Sequence, residues 1–102
     1  MAREIETKCI HLEEKEGALN HFGAMAYPIY QSATYAHPGV GQSTGYDYSR
    51  LQNPTREHLE KTVASLENGI DALAFSSGMA AITLMMELFK PGDHLIVDAD
   101  LY

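Results

Sequence analysis

Residues 72–97 read Ala72-Leu73-Ala74-Phe75-Ser76-Ser77-Gly78-Met79-Ala80-Ala81-Ile82-Thr83-Leu84-Met85-Met86-Glu87-Leu88-Phe89-Lys90-Pro91-Gly92-Asp93-His94-Leu95-Ile96-Val97, and this stretch decides the fold. Residues 72–75 form a short apolar run of the kind found in a buried strand. Residues 79–89 are apolar on nearly every face, which predicts a helix covered on more than one side. Pro91-Gly92-Asp93 is a turn, and Leu95-Ile96-Val97 is a second buried strand. Strand, helix, strand is a βαβ unit, and βαβ units build parallel sheets covered by helices. Two strands alone cannot bury such a helix.

Upstream, Asn53 can cap a helix, Pro54 suits its first position, and Glu57 lies in its first turn. Leu59, Val63, Leu66 and Ile70 then follow as one apolar stripe, and Gly69 is placed to end the helix. Near the start, Ile5, Cys9 and Leu12 share the spacing of one face of a short helix. Between these helices lies a segment of unusual composition. The thirty residues 17–46 contain no Asp, Glu, Lys or Arg, yet they carry Phe22, Met25, Tyr27, Ile29, Tyr30 and Tyr35. A free linker is normally solvated by charge. An uncharged arm rich in tyrosine is better placed against a protein surface, on a partner subunit or on its own domain.

The first cation after that gap is Arg50, inside Tyr46-Asp47-Tyr48-Ser49-Arg50-Leu51-Gln52-Asn53-Pro54-Thr55-Arg56. A guanidinium fork beside a phenol is suited to an anion. A second anion-holding feature is the passage from strand to helix at Ser76-Ser77-Gly78-Met79. Unpaired amides and the positive end of the helix dipole meet there, and glycine permits close approach. The plainer alternative is that Ser77 only caps the helix and Gly78 only relieves crowding. Gly39-Val40-Gly41-Gln42-Ser43-Thr44-Gly45 lacks the spacing of either glycine-rich phosphate motif. No metal site is expected: Asp98 and Asp100 read as a solvated pair, and the five histidines never fall at i, i+4 on a helix.

Composition narrows the functional classes. With seven basic and fourteen acidic residues the net charge is −7, which argues against nucleic acid as a partner. No stretch approaches the roughly 20 apolar residues of a membrane span. Charge alternates over Arg3, Glu4 and Glu6, where a leader peptide would be apolar, and a single cysteine, Cys9, excludes an internal disulfide framework. A cytoplasmic setting is expected.

Several segments, taken in order, resemble the Cys/Met-metabolism (trans-sulfuration) family of pyridoxal-phosphate enzymes. They are Pro28-Ile29-Tyr30-Gln31-Ser32-Ala33-Thr34-Tyr35, then residues 45–50, then Asn53-Pro54-Thr55-Arg56, and then Phe75-Ser76-Ser77-Gly78-Met79-Ala80-Ala81-Ile82. Pro91-Gly92-Asp93 and Asp100-Leu101-Tyr102 complete the match. The resemblance implies an α/β fold: an N-terminal arm, residues 1–52, packing on a partner subunit, and residues 53–102 as the start of the cofactor domain. That domain is implied to be the first part of a mostly parallel sheet covered by helices, as in the large domain of fold type I transferases. Carried over residue by residue, Tyr48 and Arg50 resemble the pair that reaches the cofactor phosphate of a neighbouring subunit. Gly78 and Met79 resemble the positions whose amides hold that phosphate from the subunit's own side. Tyr102 resembles the tyrosine that stacks on the cofactor ring and assists proton movement. The implied cofactor is pyridoxal 5′-phosphate, and the implied substrate is an amino acid such as cystathionine, a homoserine ester, cysteine or methionine. The implied assembly is a homo-oligomer, a tetramer in this family, with shared phosphate sites. The lysine to which the family attaches its cofactor lies beyond residue 102, so the chain is expected to be an N-terminal fragment, inactive alone. Cystathionine γ-synthase or lyase chemistry is the preferred expectation, with O-acetylhomoserine sulfhydrylase or methionine γ-lyase as alternatives. The rival of another class is an inactive truncated product or a small phosphate-binding α/β module.

Overall fold

A computed structural model describes residues 4–12, 22 and 24–101 of the chain. Three helices organise them: α1 (Ile5–Ile10), α2 (Pro54–Leu66) and α3 (Gly78–Met86). The short α1, on the Ile5/Cys9 spacing, lies against α2. At the start of α2, Asn53 is extended (φ −146°, ψ 134°) and its side chain accepts the Thr55 N–H at 2.9 Å. Pro54 occupies the first helical position, where a missing N–H costs nothing. At the other end the left-handed residue is Asn68 (φ 54°), and the Gly69 N–H donates to the Ala64 carbonyl at 2.8 Å. The helix therefore closes in a Schellman motif with asparagine in the left-handed place and glycine one residue later.

The uncharged segment is tied to the beginning of α2 in the same chain. The Tyr30 N–H donates to Thr55 Oγ1 at 2.8 Å, and Asn53 Nδ2 donates to the Tyr30 carbonyl at 3.2 Å and to the Tyr35 hydroxyl at 3.4 Å. The Tyr27 ring stacks on the His58 ring with centroids 3.9 Å apart. Phe22, Met25, Ile29 and Val40 of the same segment remain exposed. Asn53 thus serves as helix cap and arm anchor together. Replacing it by alanine is expected to cost roughly 1–2 kcal/mol, a cap of about 1 kcal/mol plus two weaker bonds. Urea unfolding of the protein should show this as a lower midpoint at unchanged slope.

Helix α3 begins one residue before the expected 79 and ends at Met86. Beyond it, the Glu87, Leu88 and Phe89 amides donate to carbonyls three residues back, at 3.1 to 3.2 Å, so the helix tightens as it stops. Residues 90–93 form a turn closed by the Asp93 N–H on the Lys90 carbonyl, with Gly92 at φ 101°, a place that requires glycine. The expected strands at 72–75 and 95–97 form no ladder among the described residues, where one isolated bridge, Thr34 with Tyr48, is the whole of the β pairing. The physical reason is local for the first segment. The Ala72 amide turns to the Asp71 carboxylate and the Ala74 amide to Glu60, both at 2.9 Å. Leu73, at 65%, and Phe75 stay exposed beside half-buried Ala72 and Ala74, and all of 95–97 is exposed, with Ile96 at 96%. Among the described residues only Pro54 and Ala64 are buried, and α3 packs against neither of the other helices.

Candidate functional site

Tyr48 and Arg50 owe their positions to backbone pairing. The Ser49 N–H donates to the Ala33 carbonyl at 2.9 Å and the Tyr35 N–H to the Asp47 carbonyl at 3.3 Å, so residues 33–35 and 47–49 run antiparallel. The chain then turns, with the Leu51 and Gln52 amides both donating to the Tyr48 carbonyl at 3.0 Å. This turn folds the Arg50 guanidinium back over the Tyr48 ring, 5.0 Å from its centroid. Stacking restricts the guanidinium without consuming its donors. Among the described residues no hydrogen bond or ion pair from the Arg50 side chain competes for an anion.

At the head of α3 the two readings of the 76–79 turn are reconciled. Ser77 is the cap: extended at φ −155°, its hydroxyl accepts the Ala80 N–H at 3.1 Å. That bond takes the third amide of the helix and leaves those of Gly78 and Met79 without a partner among the described residues. A Cβ placed on Gly78 would meet nothing within 4 Å, so no described residue outside the helix and its chain neighbours crowds the Gly78 Cα. Two free amides at a helix N-terminus, beside an uncrowded glycine, suit a phosphate oxygen. The phosphate of pyridoxal phosphate therefore fits the donors this chain presents.

Of the expected site residues, the structure joins Tyr48 to Arg50 and sets Gly78 beside Met79. No contact links the two pairs among the described residues, and Tyr102 lies outside them. The glycine-rich loop closes on itself. The Gly45 amide donates to Ser43, the Ser43 hydroxyl to Asp47, and Gln42 to the Gly39 carbonyl. Among the described residues no group of three His, Cys, Asp or Glu side chains is placed to hold a metal ion. No helix among them is long and apolar enough to cross a membrane.

Sequence reasoning missed the polar residues that fasten the site to α2. Arg56 and Glu60, and Glu57 and Lys61, form i, i+4 ion pairs, a spacing visible in the sequence once the helix is placed. Glu57 also accepts a hydrogen bond from the Tyr46 hydroxyl, two residues before Tyr48. The hydrogen bond from Lys61, and next that from Tyr46, hold the Glu57 carboxyl below its ordinary 4.5; burial opposes them. Desolvation, and then the bond to Glu57, push the Tyr46 phenol upward. A depressed carboxyl stabilises the fold above its unfolded value, and that contribution is lost as pH falls through the folded value. A raised phenol stabilises below its unfolded value near 10, and the contribution is lost as pH climbs through the folded value. Tyr46→Phe removes one cause of the Glu57 shift, so the acid unfolding midpoint should move up. The Glu57 side chain is 37% exposed, which limits the move to less than about one pH unit. Circular dichroism across an acid titration measures it.

Several known proteins resemble this chain. Residues 6–102 match the family described as Cys/Met metabolism PLP-dependent enzyme. The chain belongs to this family. It is 50% identical, over all 102 residues, to a cystathionine gamma-synthase/O-acetylhomoserine (thiol)-lyase of Bacillus subtilis, covering 27% of that protein. It is 55% identical over 80 residues to a cystathionine gamma-synthase of Haemophilus influenzae, an alignment covering 78% of this chain and 22% of that one. The crystal structure of cystathionine gamma-lyase from Lactobacillus plantarum, complexed with L-serine, superimposes with a TM-score of 0.73 at 42% identity. That match covers 90% of this chain and 23% of the other. The described fold is therefore that of the corresponding part of such family members, and the chain spans about a quarter of the length of the curated relatives it matches.

Proposed function

We propose that the protein carrying this chain is a cytoplasmic pyridoxal-phosphate enzyme of trans-sulfuration, of the cystathionine γ-synthase or cystathionine β/γ-lyase type. It acts on sulfur-containing or O-activated amino acids by elimination or replacement at the β or γ carbon. The observation that carries the reading is the head of α3, where Ser77 caps the third amide and leaves the first two for a phosphate. The cofactor, when bound, supplies an electron sink for negative charge at the substrate's α carbon. The residues of this chain bind and orient. The Gly78 and Met79 amides hold the phosphate from one side. Tyr48 and Arg50 hold the phosphate of a neighbouring subunit, and Tyr102 stacks on the cofactor ring and carries a proton. In this reading residues 1–52 are the arm that crosses the subunit interface. Residues 53–102 open the cofactor domain, with segments 72–75 and 95–97 entering a mostly parallel sheet against α3.

A second activity is favoured by one observation. The Bacillus subtilis relative bears the names of both a γ-synthase and an O-acetylhomoserine (thiol)-lyase. Visible absorption by the purified protein tests the cofactor. Incubation with cystathionine alone, and with an O-acyl homoserine plus cysteine, separates the chemistries. Release of a keto acid marks a lyase, and formation of the thioether marks a synthase. Binding of inorganic phosphate with no visible absorption and no product would leave a phosphate-binding module in place of an enzyme.

A further inference from the structure

Arg56 occupies a position that neither anion half-site includes. Its two terminal nitrogens donate backward out of α2, Nη1 to the Arg50 carbonyl at 3.4 Å and Nη2 to the Leu51 carbonyl. Its Nε is buried and makes no hydrogen bond, lying 3.5 Å from Glu60 Oε1 at ion-pair distance only. That same Glu60 oxygen accepts the Ala74 N–H at 2.9 Å, three residues before Ser77. The Glu60 side chain is 15% exposed and that of Arg56 35%, so the pair is shielded far more than an ordinary surface ion pair. The groups lie along a cleft of about 330 Å³ between residues 51–53, α2 and residues 71–73.

We propose that Arg56 is a positioning residue for cofactor-phosphate binding, bracing the Tyr48/Arg50 turn through two successive carbonyls and, through Glu60, the segment that leads into the 77–79 turn. A planar guanidinium can hold two carbonyls and face a carboxylate at once, because its donors point in fixed and different directions. An ammonium cannot. The turn that aims Arg50 otherwise rests on the Ser49–Ala33 bond and on two bonds to the Tyr48 carbonyl, none of them made by residue 50 itself, so losing the brace frees the guanidinium to swing. The inference rests on reading Tyr48 and Arg50 as a phosphate half-site.

The test compares the affinities of the protein for pyridoxal phosphate and for pyridoxal, which lacks the phosphate. Wild type is expected to favour the phosphorylated form strongly. Arg56→Met should reduce that preference about tenfold while leaving pyridoxal affinity unchanged. Arg56→Lys should recover only part of it. Glu60→Gln keeps an oxygen for the Ala74 amide but drops the charge facing Nε, and should reduce the preference about threefold. The Lys and Gln variants decide the matter should the Met variant fail to fold. Equal loss of both ligands would mean that Arg56 merely supports the fold, and would overturn the inference. So would a wild-type preference in the Lys and Gln variants while Arg50→Ala has lost it; in that case the half-site reading survives alone. A wild-type protein that binds the two ligands equally would sink the half-site reading and this inference with it.

Discussion

Replacing Arg50 by alanine is expected to raise the dissociation constant for pyridoxal phosphate by about one to two decades. A hydrogen bond to a charged group contributes roughly 1.5–3 kcal/mol, and here the guanidinium is held against the Tyr48 ring before the anion arrives. Little ordering cost remains to be met on binding, which favours the upper part of that range. Arg50→Lys keeps the charge but loses the fork and much of the stacking, so it should recover less than half of the loss in free energy. Equilibrium dialysis of the cofactor from each variant measures the effect. Unchanged retention in the alanine variant would remove Arg50 from the phosphate site.

The larger effect is expected at Gly78. A Cβ there meets nothing within 4 Å, and the residue opens α3 without a left-handed backbone. Gly78→Val should therefore fold as well as wild type, since removing glycine reduces the freedom of the unfolded chain. The side chain would instead stand beside the Gly78 and Met79 amides, where it narrows the approach of a phosphate. Displacing a phosphate from two charge-assisted hydrogen bonds predicts roughly two decades or more in cofactor affinity. The melting temperature without cofactor should stay within about 2 °C of wild type. A fall in that temperature equal to the loss of binding would show that glycine serves packing in this place.

Helix α2 was legible because each of its signals is local. Asn53, Pro54 and the apolar stripe need no distant partner to be recognised. Its end was harder: the left-handed position could be filled by Asn68 or Gly69, and the hydrogen bond to Ala64 selects Asn68. Segments 72–75 and 95–97 have strand composition, but strand pairing is a property of two segments, and composition does not say where an amide goes. The Ala74 amide goes to a side chain on α2. At the candidate site, Arg50 stood out because no cation precedes it for thirty residues. Ser77 was legible as a cap or as part of an anion cradle, and the two are compatible, since the cap takes the Ala80 amide and leaves those of Gly78 and Met79 to the proposed phosphate. Glu57 was legible only as part of the helix start and Arg56 only as part of a motif, while Glu60 did not stand out. Their work lies in where the arm and the 72–75 segment come to rest, which no periodicity records.

Asn53 has a consequence for how the chain opens in time. Its side-chain oxygen holds the Thr55 amide, its nitrogen reaches the Tyr30 carbonyl, and Thr55 in turn holds the Tyr30 amide. Two amides twenty-five positions apart in sequence are thus locked behind one small cluster of side chains. Opening the helix start takes away the partner of the Thr55 amide and displaces the hydroxyl that holds the Tyr30 amide. Both should exchange in a single opening event, with one free energy and one dependence on denaturant. The arm and the first turn of α2, so different in composition, behave as one kinetic unit.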